Sequence, residues 1–146
     1  MQTELHVSVI ADVIRLAVAP VFLLSGIGAM LAVMTNRLGR VIDRARILES
    51  QHANLQEREK IESQESLLRL SRRARFINIA ITLCTTCALL VCAVIAALFI
   101  GAFLSIDLAG LIGVVFIAAM FSLIGGLLSF LREIYISTRA LRIGPR

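Results

Sequence analysis

Three long apolar blocks dominate the pattern of hydrophobic and polar positions along the chain. They run from Leu16 to Met34, from Phe76 to Leu104 and from Leu108 to Leu131. A helix rises about 1.5 Å per residue and the hydrocarbon core of a bilayer is about 30 Å thick, so each block is long enough to cross it. Backbone groups in lipid must be hydrogen-bonded within their own segment, which predicts an α-helix for each block. The short polar stretch Ser105–Asp107 is the predicted turn between the second and third spans.

The amino-acid composition also indicates a membrane protein. Hydrophobic residues make up 58% of the 146 residues and charged residues 17%, whereas a soluble domain is roughly half apolar and about a quarter charged. No basic leader precedes the first block, so we do not expect a cleaved signal peptide. We predict one all-α membrane domain over 1–146, with three transmembrane helices and a cytoplasmic helical hairpin between the first and second. Its parts are an external segment 1–15, spans at 16–34, 76–104 and 108–131, the hairpin 35–75 and a cytoplasmic tail 132–146.

The distribution of arginine along the chain predicts which side of the membrane each polar segment faces. Segments 35–75 and 132–146 are rich in it, whereas 1–15 contains only Arg15 and 105–107 contains none. Cytoplasmic loops carry the excess of Lys and Arg, so the N-terminus is expected outside and the C-terminus in the cytoplasm. The net charge of +5 then lies beside anionic lipid headgroups. Nucleic acid is not an expected partner, because acidic residues are interleaved with the arginines.

The segment between the first two spans favours helix. No Gly or Pro occurs between Arg40 and Ile100, and 40–75 is rich in good helix formers. Asn54 followed by Glu57 resembles an N-cap with its partner, which predicts a turn near Gln51–Asn54. The seam expected to pair the two arms is Leu38, Ile42, Ala45, Leu48, His52 and Leu55. The hairpin is either a solvated amphipathic structure or a surface for a cytoplasmic protein partner.

Each span carries a stripe of small or polar residues at alternating spacings of three and four. Lipid provides no hydrophobic drive for helix association, and such residues allow close approach and interhelical hydrogen bonds. Packing is therefore the simpler interpretation. The helix-packing candidates are Asn78, Thr82, Thr85, Ser122 and Gly125.

The stripe of the first span has a second interpretation, a polar path through an oligomer. Rings of charged side chains select ions, and charged residues flank this span at both ends. An inner arginine belt would favour anions and an outer Asp12 cations, so the sequence leaves the sign of selectivity open. The pore-lining candidates are Asp12, Ser25, Gly28, Ala32, Thr35, Asn36, Arg37, Arg40 and Arg44.

Catalytic chemistry is not expected. Cys84, Cys87 and Cys92 all lie in the second span, where a redox or zinc site lacks the polar, accessible thiolate it needs. We interpret them as packing residues. The sequence contains no P-loop, dinucleotide fingerprint or metal motif, so we predict no enzyme, no cofactor and no metal.

Two segments resemble a known family. The run APVFLLSGIGAMLAVMTNRLGRVIDRAR at 19–46 resembles the signature region of a bacterial membrane family catalogued as domain of unknown function 2721, and SRRARFIN at 71–78 continues the resemblance. It implies a multi-pass bacterial inner-membrane protein with few spans, and it carries over no activity, substrate or site residue.

Two functions remain as hypotheses. The first is a homo-oligomeric ion channel or pore-like protein with span 1 lining the path, because three helices alone enclose no wide path. The alternative is a membrane-anchored interaction or regulatory protein whose cytoplasmic hairpin binds a partner. A small transporter is disfavoured, because the chain lacks the inverted repeats of that class.

Overall fold

A computed structural model describes residues 2–52, 57–104 and 106–140 of the chain. These residues form three α-helices: α1 is Gln2–His52, α2 is Glu57–Leu104 and α3 is Ala109–Ala140. Each contains a segment long and apolar enough to cross a membrane, at Ile10–Ser50, Ser63–Leu104 and Ala109–Ser137. The prediction of an all-helical chain with three candidate spans is confirmed.

The first two helices extend well beyond the apolar blocks. α1 continues through Asn36 to His52, and α2 begins at Glu57, so most of the segment 35–75 is helical. The absence of Gly and Pro between Arg40 and Ile100 explains the continuity, since both residues interrupt helices. Asn54 and Leu55, which carry the predicted cap and the end of the predicted seam, lie outside the described residues.

The chain forms two compact units. The first comprises residues 1–30 and 83–124. Its buried α2 side chains are Cys84, Cys87, Val91 and Val94, at spacings of three, four and three, the pattern of left-handed helix packing. Val13, Ala17 and Ile27 of α1 and Ala119 of α3 are also buried in this unit.

A tight connection joins α2 to α3 in the first unit. The Ile106 amide donates a hydrogen bond to the Gly101 carbonyl oxygen at 3.2 Å, and the Ala109 amide donates to the Asp107 carboxylate at 3.0 Å. The second bond is an Asx turn, in which the aspartate side chain imitates a backbone turn. A Cβ at Gly101 would lie 3.3 Å from the Ile106 carbonyl oxygen, so glycine suits this close approach.

The second unit comprises residues 31–82 and 125–146. Ser63, Leu70 and Ile77 of α2 are buried at intervals of seven, and Met34 and Val41 of α1 are buried with the same interval. Packing of two helices through such repeats is the geometry of a coiled coil.

The predicted seam of α1 needs one correction within this unit. Val41 is 8% exposed and Ile42 is 40% exposed, so the core residue is Val41. The prediction of Ile42 was wrong because both residues continue an apolar pattern from Leu38 at helical spacing, and only tertiary packing distinguishes them.

Candidate functional site

A fully buried carboxylate lies on the core face of α3 in the second unit. Glu133 has 0% exposure and follows the buried Gly126 by seven residues. Glutamate is rarely buried without a partner, because removing a charge from water is costly unless the charge is paired and hydrogen-bonded.

Arginines from the other two helices supply the pairing. Arg73 of α2 donates to Glu133 Oε1 from Nε at 3.3 Å and from Nη2 at 3.1 Å. The same Nη2 donates to the Ser137 hydroxyl at 2.7 Å. Nη1 of Arg37, on α1, lies 3.5 Å from Glu133 Oε2, at ion-pair distance. We call these four residues the Glu133 cluster; each helix contributes at least one charged member.

Two aromatic rings lie at cation–π distance from arginines of this region. The guanidinium carbon of Arg37 lies 5.5 Å from the centroid of the Phe130 ring, and that of Arg132 lies 5.6 Å from the Phe76 ring. Both distances are within the range of cation–π attraction, about 6 Å. The Phe130 ring therefore helps to fix the Arg37 guanidinium beside the carboxylate.

A polar cleft of about 250 Å³ adjoins the cluster. Its wall on α1 is built by Arg37, Arg40 and Arg44, whose spacing of three and four places them on one side of the helix. Four arginines and a single glutamate give the cleft a net positive charge. The lining residues are Arg37, Arg40, Val41, Arg44, Leu70, Arg73 and Glu133.

The sequence-predicted pore candidates are mostly exposed within the single chain. Arg37 is half-buried in the Glu133 cluster, and it lies with Arg40 and Arg44 at the cleft. The Thr35 hydroxyl donates to the Leu31 carbonyl oxygen at 2.6 Å. Asp12 belongs to the first unit, where it borders an open, mainly apolar depression. The exposed candidates are Asp12, Ser25, Gly28, Ala32, Thr35, Asn36, Arg40 and Arg44. Whether they line a path stays a prediction.

The helix-packing candidates differ in their surroundings. Ser122 is half-buried, and its hydroxyl donates to the Leu83 carbonyl oxygen at 2.8 Å, while Gly125 is also half-buried. The α2 candidates Asn78, Thr82 and Thr85 are exposed within the chain. Cys84 and Cys87 are buried instead, and Cys92 is exposed.

Glu133, Arg73 and Ser137 are members of the cluster that the sequence analysis did not single out as site residues, and Glu133 is the central one. Beside Arg132, just after the third apolar block, it reads as the start of a polar tail. The available signal was that Ala119, Gly126 and Glu133 follow one another at intervals of seven residues, which places them on the same helix face. Among the described residues, no group of three or more His, Cys, Asp or Glu side chains is placed to hold a metal ion.

Comparison with known proteins identifies a family and gives no further relative. A family model described as "Protein of unknown function (DUF2721)" matches residues 17–143. No curated protein and no solved structure matches the chain. The matched region includes all members of the Glu133 cluster and most of the three candidate spans, consistent with a small multi-pass membrane protein. The chain therefore belongs to the DUF2721 family of proteins of unknown function.

Proposed function

We propose that the protein is a homo-oligomeric ion channel or pore-like protein in which the exposed face of α1 lies toward neighbouring copies. The observation that carries the proposal is a contrast between two exposed helix faces. Between positions 111 and 131 of α3 that face is built mainly from large apolar side chains, with Gly113 and Ala118 as the two small exposed residues. The large side chains are Leu111, Val114, Phe116, Ile117, Phe121, Ile124, Leu127, Leu128 and Leu131.

The exposed face of α1 differs in character over its middle part, after the large apolar side chains that it exposes between Ile10 and Phe22. Between positions 25 and 39 its exposed residues are small or polar, with Val33 as the one large hydrophobic side chain. They are Ser25, Gly26, Gly28, Ala29, Ala32, Thr35, Asn36 and Gly39. A Cβ added at Gly28 or Gly39 would meet nothing within 4 Å.

These two faces suit different neighbours. Large apolar side chains fill the space between lipid tails, whereas small residues let another helix approach closely. A second copy of α1 is therefore the better neighbour for the 25–39 face. Around an axis, Arg40 and Arg44 would form a charged belt at one end of the path and Asp12 at the other. By the distribution of arginine, the Asp12 end faces the outside of a bacterial inner membrane and the arginine-rich segments face the cytoplasm.

A single introduced cysteine tests this arrangement. In a chain whose three native cysteines are replaced by alanine, Ala32→Cys is expected to cross-link between copies on oxidation. In liposomes that show ion flux, a charged thiol reagent is expected to reduce the flux of this variant. The matched control is Leu128→Cys, at an exposed position of α3, where neither effect is expected. Equal cross-linking at both positions, or a flux that the reagent does not alter, would contradict the proposal.

A specific observation also favours the second function, a membrane-anchored interaction or regulatory protein. Exposed large apolar side chains occur within the charged segment 35–75, with Ile47 58% exposed, Ile61 63% and Leu68 70%. Outside a membrane, apolar side chains grouped on one helix face favour protein contact. Ile61 and Leu68 are seven residues apart and so share a face of α2.

Polar substitution of this face separates the two functions. Ile61→Ser with Leu68→Ser is expected to abolish co-purification of a cytoplasmic partner from native membranes while ion flux persists. Gln64→Ala with Ser71→Ala, an exposed pair at the same spacing, is the matched control. Loss of flux without any change in co-purified proteins would count against the interaction function.

A further inference from the structure

The cleft beside the Glu133 cluster contains more positive charge than the described residues neutralise. Within the part of the chain that the structure describes, Glu133 is the sole carboxylate paired with a cleft arginine, and Arg40 and Arg44 form no ion pair. Arginines held together in this way repel one another unless an anion or solvent offsets their charge.

Glu133 holds two of these arginines in place and binds only some of their N–H donors. A guanidinium group has five N–H donors. Arg73 uses Nε and Nη2 toward Glu133 and Ser137, and Arg37 approaches the carboxylate through Nη1. The carboxylate is fully buried, while the side chains of Arg37 and Arg73 are 26% and 27% exposed. Both side chains line the cleft, and each keeps N–H groups that these contacts do not use.

We propose that this cleft binds a phosphate group through Arg37, Arg40, Arg44 and Arg73. The planar fork of arginine matches phosphate oxygens in a bidentate manner, and such charge-assisted hydrogen bonds are stronger than neutral ones. The volume of about 250 Å³ suits a small anion or a headgroup, since pockets for drug-sized ligands begin at about 300 Å³. The proposal shares Arg40 and Arg44 with the proposed channel, but it is tested by ligand binding and does not depend on ion flux.

The position of the cleft in the sequence indicates two sources for the phosphate. Arg37 follows the first apolar block, Arg73 precedes the second, and Glu133 follows the third. Basic pockets at the ends of membrane spans, on the cytoplasmic side, bind the headgroups of anionic lipids. Val41 and Leu70 add apolar walls that suit the glycerol end of a lipid. A soluble phosphate compound shares the same recognition chemistry, and the experiment distinguishes the two.

The test compares two double variants of the full-length chain that lose the same charge. Arg40→Gln with Arg44→Gln alters the cleft, whereas Arg46→Gln with Arg72→Gln removes two exposed arginines that do not line it. In phosphatidylcholine nanodiscs containing phosphatidylglycerol, native mass spectrometry measures how much phosphatidylglycerol stays bound. Charge-assisted hydrogen bonds predict a loss of roughly tenfold or more in affinity for the cleft variant, and a clearly smaller loss for the control.

A second arm uses inorganic phosphate and pyrophosphate on the protein in lipid-free detergent. A rise in thermal midpoint for wild type and control, absent in the cleft variant, would support the site and identify a soluble ligand. Phosphatidylglycerol retention that these anions do not displace would support the site and identify the lipid. Equal losses in both double variants, or no binding by wild type in either arm, would overturn the proposal. Both substituted cleft residues are exposed, so an unchanged thermal midpoint without ligand verifies that the variant is folded.

Discussion

Replacement of Glu133 by glutamine is expected to destabilise the folded chain by about 2–4 kcal/mol. Glutamine has nearly the same shape, so packing is retained and the effect isolates the charge. The substitution leaves Arg37 and Arg73 without their shared counter-charge and replaces a charge-assisted acceptor at Oε1. Removing one partner of a fully buried pair costs about 3–5 kcal/mol. Both arginine side chains are about a quarter exposed and can turn toward water, which lowers the expected cost.

Unfolding in a mixed-micelle denaturant titration measures this effect, and an exposed ion pair supplies the control. Glu65 and Arg69 lie 3.8 Å apart with side chains 69% and 77% exposed. Exposed pairs of this kind contribute roughly 0–1 kcal/mol, so Glu65→Gln is expected to change stability little. A double-mutant cycle with Arg73→Gln then gives the coupling energy, because the second substitution costs less once Glu133 is absent. Equal stability of Glu133→Gln and wild type would show that the negative charge of Glu133 contributes nothing to the stability of the fold.

The three helices, and the continuation of α1 and α2 into the segment 35–75, could be predicted from the sequence. The start of α1 at Gln2, the end of α3 at Ala140 and the faces that the helices bury could not. The apolar blocks predict three helices, and the long interval without Gly or Pro explains why α1 and α2 continue beyond them. Met34 and Ile77, for example, are buried, whereas their neighbours Thr35 and Asn78, which belong to the predicted stripes, are exposed. In a membrane span both the core and the lipid are apolar, so hydrophobicity does not distinguish the two faces.

The Glu133 cluster shows a different limit of sequence reasoning. Arg37 and Arg73 are visible in the sequence as parts of basic stretches, and topogenic charge explains them without any partner. Their convergence on one carboxylate depends on pairing between three helices, and Glu133 is 60 residues from Arg73. Local spacing contains no information about such a contact. The cleft, and the phosphate site proposed in it, therefore emerge only from the structure.

Substitution of two adjacent alanines of α3 tests which face of this helix is buried in the first unit. Ala119 is 0% exposed, whereas Ala118 is exposed. Ala119→Leu is expected to destabilise the chain by about 1–3 kcal/mol, because inserting a larger side chain into a packed core forces its neighbours to move. The Ser122 hydroxyl, bonded to the Leu83 carbonyl oxygen at 2.8 Å, keeps α3 close to α2 at this level and leaves little room for that movement.

Ala118→Leu is the matched control, since the same atoms are added one position away. Adjacent helical residues point about 100° apart, so leucine at 118 is directed away from the core and is expected to change stability by less than about 0.5 kcal/mol. The two unfolding curves, recorded under the same micellar conditions, show directly which face of α3 is buried. A larger loss from Ala118→Leu would show that the buried face of α3 is the one that Ala118 shares with the packing candidates Ser122 and Gly125. Equal large losses would instead show that both faces are covered, as they would be if Ala118 lay against a second copy of the chain.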